Sequence, residues 1–182
     1  LHINGDYSGV SNLKALQELA GLKRLSFKGT NIESVEPLKS LPALDFINLD
    51  NTKVPEWDVQ ELAGLLPETN VIFRTESLMS WWQNLNPDWK SLFSRYYELE
   101  ENPDTWALHQ VTASTKLEIG GDNISDLEPL LVFFNLRELQ IKNVPLQDPS
   151  AIARLEKLEV LEITESPFRD LAVVTPLSML ET

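Results

Sequence analysis

The sequence predicts an α/β fold. It is read as a right-handed repeat solenoid with a parallel concave sheet of about seven short strands and a small helical insert. Three observations carry this. Leu22-x-x-Leu25-x-Phe27-x-x-Thr30-x-Ile32 recurs as Leu44-x-x-Ile47-x-Leu49-x-x-Thr52-x-Val54, every position displaced by 22 residues. Leu117-x-Ile119-x-x-Asp122-x-Ile124 recurs at Leu139 and again at Leu161 with the same step. Between the two arrays the period breaks, and Leu78, Trp81, Trp82 and Leu85 take the i, i+3, i+4, i+7 spacing of one helix face. A unit this short cannot bury its apolar face alone and must bury it against its neighbours, which is what a solenoid does.

The elements follow in order. Leu1 and Ile3 fall in register as a first strand, with Asp6 in the polar slot behind them. Residues 11–20 carry Leu13, Leu16 and Leu19, a helical return path with Ser11 as its expected cap. Strands are expected at Leu25 to Phe27 and Ile47 to Leu49, with Pro37 and Pro42 on an irregular or 3₁₀ return side. Asp58 to Leu66 reads as a helix stopped by Pro67, and a strand follows at Val71 to Phe73, with Glu76 in the next polar slot. In the insert, Asn86-Pro87-Asp88 and Asn102-Pro103-Asp104 are helix-start signals, Asn as cap and Pro at the first helical position. The first opens a helix with Trp89, Leu92, Phe93 and Tyr96 on one side. The repeats then resume, and Val144, which offers no polar atom in its slot, marks a weaker turn. The expected organisation is a first array over 1–76, a Trp-rich insert over 77–113 and a second array over 114–182, joined as one continuous or bent solenoid.

These units fit the L-x-x-L-x-L-x-x-N-x-L template of a leucine-rich repeat, with Thr in the Asn slot. Thr30-x-Ile32 followed by Glu36-Pro37-Leu38, and Asp122-x-Ile124 followed by Glu128-Pro129-Leu130, resemble the short repeats of bacterial internalin-like proteins. The stretch from Trp81 to Phe93 looks like helical inserts found beside such repeats in some bacterial proteins. The resemblance implies a parallel concave sheet, short helices or 3₁₀ turns on the convex side, and binding to another macromolecule, usually a protein.

Composition narrows the function classes. The chain has 182 residues, 42% of them hydrophobic, enough for a core, and no apolar run long enough to span a membrane. Cysteine is absent, which removes disulfides, thiolate metal sites and thiol nucleophiles. A net charge of −13 repels nucleic acid and suits either plain solubility or a basic protein partner. No signal peptide is visible, and the chain opens Leu1-His2-Ile3 without Met. Leu180 occupies the first slot of a further unit, so the parent protein is expected to be longer or its open ends to be covered by a partner.

Catalysis has little support. His2 and His109 stand near no paired acid, Gly120-Gly121-Asp122-Asn123 lacks the Lys-Ser/Thr of a phosphate loop, and Asp122, Asp126 and Glu128 lack calcium-loop spacing. Thr30, Thr52, Asp122 and Ser166 read as a structural ladder satisfying backbone groups at each turn. Asn123-Ile124-Ser125 fits a glycosylation sequon, a match short enough to arise by chance. No catalytic, cofactor or metal residue is therefore expected, and no enzyme.

Strand side chains alternate, so the residues between the inward leucines should line the concave face. These are Arg24, Ser26, Lys28, Phe46, Asn48, Asp50, Ile72 and Arg74 in the first array. In the second they are Lys116, Glu118, Glu138, Gln140, Lys142, Val160, Glu162 and Thr164. Phe46, placed between Arg24 and Arg74, is the expected anchor for a protein partner. The Trp cluster reads as core cementing the insert to the repeats. The alternative leaves Trp82 exposed as a platform for a peptide or carbohydrate.

Overall fold

A computed structural model describes residues 13–121, 123–168 and 171–180. The chain divides into two compact units, Leu1–Ser77 and Leu78–Thr182. The expected strand at Leu1 to Ile3, Asp6, the Ser11 cap and the Asp122 slot lie outside the described residues.

The first unit holds three parallel strands, β1 (Arg24–Ser26), β2 (Phe46–Asn48) and β3 (Asn70–Ile72), in that order. Leu25 pairs with Ile47 and Ile47 with Val71, so the register follows the 22- and 24-residue steps of the sequence. Leu25, Phe27, Ile32, Leu38, Leu41 and Ile47 are almost fully buried. The return side is a 3₁₀ turn at Lys14–Glu18, another at Glu36–Leu38 with Pro37 in its first turn, and helix α1 (Glu56–Leu65). The helix expected over 11–20 is reduced to that first turn: Leu13 is buried, but Leu19 is 48% exposed, so its apolar spacing does not make a packed face. α1 begins two residues before the expected Asp58, directly after Pro55, and ends ahead of Pro67.

The second unit holds β4 (Lys116–Gly120), β5 (Glu138–Lys142) and β6 (Val160–Thr164), again parallel and in sequence order. Leu117, Leu139 and Leu161 lie in one row, Ile119, Ile141 and Ile163 in the next. The described residues thus contain six strands in two sheets of three, rather than one sheet of about seven. The segment between β3 and β4 is helical: α2 (Thr75–Asn84), α3 (Pro87–Tyr97) and α4 (Thr105–Thr112). The expected polar slot at Glu76 is therefore the first turn of α2.

The insert packs as core. Leu78, Trp82, Leu85, Trp89, Leu92, Phe93, Leu108 and Val111 share one buried cluster with Leu117, Ile119, Leu139 and Ile141. Phe93 sits at its aromatic centre, with ring centroids 5.0 Å from Trp89, 5.4 Å from Trp81 and 5.7 Å from Phe133. Asn86 caps α3 as expected, its side chain accepting from the Trp89 N–H at 3.0 Å. Tyr96 is 40% exposed, and Tyr97 takes the inner place expected of Tyr96, 6.3 Å from Phe93. The cap of α4 is Asp104, not Asn102: its carboxylate accepts from the Ala107 N–H at 2.8 Å. Starting there turns Leu108 and Val111 inward and leaves Trp106 40% exposed. His109 is buried, its Nδ1 donating to the Thr105 carbonyl at 2.7 Å.

One position unites the repeats. The residue four after Leu25, Ile47, Leu117, Leu139 and Leu161 has a left-handed backbone: Gly29, Asn51, Gly121, Asn143 and Glu165, with φ between 51° and 73°. At Gly29, Gly121 and Asn143 the N–H donates to a carbonyl of the next repeat, at 2.9, 3.0 and 3.0 Å. This bend closes the strand ladder and sends the chain to the return side. Gly and Asn tolerate it; Glu165 does so against its Cβ. The Thr30 and Thr52 hydroxyls then donate to the Phe27 and Leu49 carbonyls at 2.8 and 2.9 Å. At Val144 the next repeat supplies the missing polar atom, since the Val144 N–H donates to the Ser166 hydroxyl at 3.0 Å.

Four measurements follow from this packing. Phe93→Ala should destabilise the second unit by about 3–5 kcal/mol in urea unfolding, and Asn86→Ala by about 1 kcal/mol. Glu165→Asn should raise the unfolding midpoint, the relieved strain being worth up to about 1 kcal/mol. Burial pushes the Tyr97 hydroxyl up from 10.0 to about 12, with the Ser114 hydroxyl pulling the other way. The fold therefore keeps this phenol neutral where the unfolded chain ionises it. Its stabilising contribution should be complete below pH 10 and disappear as pH rises towards 12. Stability measured across that window should fall less steeply in Tyr97→Phe.

Candidate functional site

The sheet of the second unit presents a three-by-three grid. Its rows are Lys116, Glu138 and Val160; Glu118, Gln140 and Glu162; and Gly120, Lys142 and Thr164. Between the rows, Leu117, Ile119, Leu139 and Ile141 are nearly wholly buried, so the outward side chains stand on a fixed apolar floor. Lys116, Glu118, Lys142, Glu162 and Thr164 are exposed, Val160 is 41% exposed, and Glu138 and Gln140 are half-buried. The Lys116 ammonium donates to Glu138 at 2.7 Å, which holds its pKa above the ordinary lysine value. Gln140 donates to the same carboxylate at 2.9 Å. Glu118, Gln140, Lys142, Glu162 and Thr164 line a shallow depression of about 50 Å³.

The first unit's sheet differs from expectation. Its strands span only three residues, giving the outward rows Arg24, Phe46, Asn70 and Ser26, Asn48, Ile72. The second row is not a free surface: Ser26 and Ile72 are buried, and the Asn48 side chain accepts from the Asp50 N–H at 2.9 Å. Ile72 belongs to an unalternated buried run, Val71, Ile72 and Phe73, where the chain turns directly into α2. The first row keeps Phe46, with the Arg24 guanidinium 4.3 Å from its ring centroid, a cation–π contact. Arg74 is not its other neighbour. It lies beyond β3 with φ 55°, pairs with Glu56 and stands 4.8 Å from the Phe73 ring. Asn70 holds the place assigned to Arg74, as the 24-residue step from Phe46 would have indicated.

Lys28, Asp50 and Arg74 instead come together around a cavity of about 350 Å³ at the end of this sheet, floored by Leu49, Val54, Val59 and Phe73. Asp50 is 5% exposed and serves the fold: its carboxylate accepts from the Thr75 N–H at 3.0 Å and from the Thr75 hydroxyl at 2.5 Å. It thereby anchors the start of α2. Trp82, which the alternative reading left exposed as a platform, is 7% exposed and belongs to the core. Trp57, 66% exposed on α1, is the most open Trp among the described residues. Among the described residues no group of three or more His, Cys, Asp or Glu side chains is placed to hold a metal ion. No described helix is long and apolar enough to cross a membrane.

Parallel strands stepping by 22 or 24 residues, with Leu, Ile or Val inward at each step, decide the fold. The chain has a leucine-rich repeat architecture. No protein-family model matches it, and no curated protein does. Among solved structures it is similar to an internalin (inlF) of Listeria monocytogenes. The two are 20% identical with a TM-score of 0.37, over 99% of this chain and 46% of that one. It is also similar to an internalin C2 (inlC2) of the same organism, with 20% identity, TM-score 0.30, and 93% and 54% coverage. A leucine-rich repeat protein of Leptospira interrogans matches at 17% identity, TM-score 0.35, and 94% and 56% coverage. The chain spans about half the length of these proteins.

The role given to Asp50 is open to direct measurement. Asp50→Ala should lower the stability of the first unit by about 1–3 kcal/mol and speed amide exchange at Thr75. Unchanged exchange at Thr75 would remove Asp50 as the anchor of α2.

Proposed function

We propose that this chain is a non-catalytic recognition module that binds a protein partner through the exposed face of its strands, chiefly that of the second unit. The observation that carries the reading is the grid over β4, β5 and β6. Rigid strands hold long polar side chains at fixed spacing above buried leucines, so the face varies in chemistry without altering the core beneath it. Val160 adds an exposed apolar point at the edge of the acidic row of Glu118 and Glu162. Charges on such a face govern the rate and selectivity of encounter, and an exposed apolar side chain beside them adds affinity. In the first unit, Arg24 and Phe46 offer a smaller patch of the same kind, with Lys28 and Arg74 at the neighbouring cavity. Nucleic acid is a poor fit to a chain of net charge −13. A carbohydrate or peptide platform on Trp82 loses its support with that side chain buried.

The test is site-specific photocrosslinking with the full-length protein in its source cells. A crosslinker at Gln140 should trap a discrete partner that one at Arg154, exposed on the return side, does not. Glu118→Lys with Glu162→Lys should reduce that product by about tenfold at unchanged stability. Equal products from Gln140 and Arg154, or a product indifferent to charge reversal, would refute the assignment to this face.

A further inference from the structure

A second surface of the second unit has a different chemistry. Trp81, Asn84, Leu85, Asn86, Asp126, Glu128 and Pro129 line an open cleft of about 330 Å³ where the end of α2 and the start of α3 meet the loop before the 3₁₀ turn Glu128–Val132. The exposed sheet face contributes none of its residues.

The cleft is pre-organised. The Trp81 indole N–H donates to the Pro129 carbonyl at 3.1 Å. Its ring is packed against Phe93, Trp82 and Phe133, with centroids at 5.4, 6.3 and 6.5 Å. The ring is half-buried, so it is fixed in orientation and still reaches the cleft. Asp126 is also held: one carboxylate oxygen accepts from the Glu128 N–H at 3.2 Å and the other from the Ser125 hydroxyl at 3.4 Å. An ionised carboxylate has further acceptor capacity after two such bonds. Glu128 is exposed beside it. No Lys, Arg or His lines the cleft, so its wall combines a fixed indole with two acidic residues and no basic side chain.

We propose that this cleft binds a guanidinium group. A planar cation stacks on an indole face while its N–H groups, arranged as a fork, donate to carboxylates, and Arg meets both demands better than the compact, strongly hydrated ammonium of Lys. The acidity of the whole chain attracts such a ligand. The guanidinium comes either from an Arg of a basic protein segment or from a small free molecule carrying that group. The site does not depend on the recognition role of the sheet face.

The experiment is titration of the folded chain while the Trp81 indole N–H resonance is followed by NMR, that resonance being assigned with Trp81→Phe. The probes are N-acetyl-arginine amide, an Arg-centred basic peptide, N-acetyl-lysine amide and a neutral methyl glycoside. Saturable movement of the Trp81 signal by the arginine amide, weaker with the lysine amide and weakened further by salt, is the expected result. Glu128→Gln, an exposed change that leaves the fold intact, should weaken it by about fivefold. Tighter binding of the peptide than of the arginine amide would identify a protein segment as the source, and equal binding a small molecule. A Trp81 signal unmoved by both arginine probes would overturn the proposal. So would movement by the glycoside alone, or binding indifferent to Glu128→Gln and to salt.

Discussion

Stacking one repeat directly over the next is the constraint on which both units depend. A parallel strand pair offers evenly spaced hydrogen bonds but weak local reinforcement. The chain compensates by placing one inward aliphatic side chain over another at each step, as in the rows Leu117, Leu139, Leu161 and Ile119, Ile141, Ile163. The left-handed residue behind each row keeps the step constant. At Gly29, Gly121 and Asn143 it bends the chain out of the sheet while its own N–H still reaches the neighbouring repeat. Neither feature suffices alone, since inward leucines without a fixed bend would slip in register and a bend without leucines would have nothing to pack.

The insert obeys different rules and reaches the same end. Its helices begin at side-chain caps, Asn86 and Asp104, and continue by burying aromatic faces. Trp82, Trp89 and Phe93 share a core with Leu117 and Ile119, so the helices cover apolar surface that a regular repeat would otherwise have covered. The same packing leaves Trp81 in an intermediate state, its N–H bonded and its ring flanked, yet at the wall of a cleft. Recognition chemistry there is a by-product of how the core is closed.

Much of the fold was legible because apolar spacing reports directly on burial. The strand positions, the return-side Pro37 and the Asn86 cap all followed from residue type and position. What escaped were choices decided by tertiary context. Asn102 and Asp104 are both good caps, and only the need to turn Leu108 and Val111 inward selects the second. Tyr96 and Tyr97 are equivalent to a periodicity argument until Phe93 fixes which one packs. The candidate site was less legible. Strand alternation presumes strands long enough to alternate, which holds for the five-residue strands of the second unit and fails for Ile72 at the end of a three-residue one. Asp50 and Ser26 carry polar groups suited to a partner, but the fold uses or buries them. The Gly, Asn, Gly, Asn series four residues behind Leu25, Ile47, Leu117 and Leu139 was visible in the sequence, and it marks the bend more faithfully than the Thr and Asp positions that follow it.

The two sides of each repeat tolerate change in length very differently. Between β2 and β3 the step grows from 22 to 24 residues, and the extra chain is taken up by α1 replacing a 3₁₀ turn while Ile47 still pairs with Val71. A single residue added between Leu117 and Gly121 has no such outlet, because it would exchange inward for outward side chains along the rest of the strand. Lengthening by mutation is thus channelled to the return side, and whole 22-residue blocks are the natural unit by which the sheet itself could be duplicated or lost.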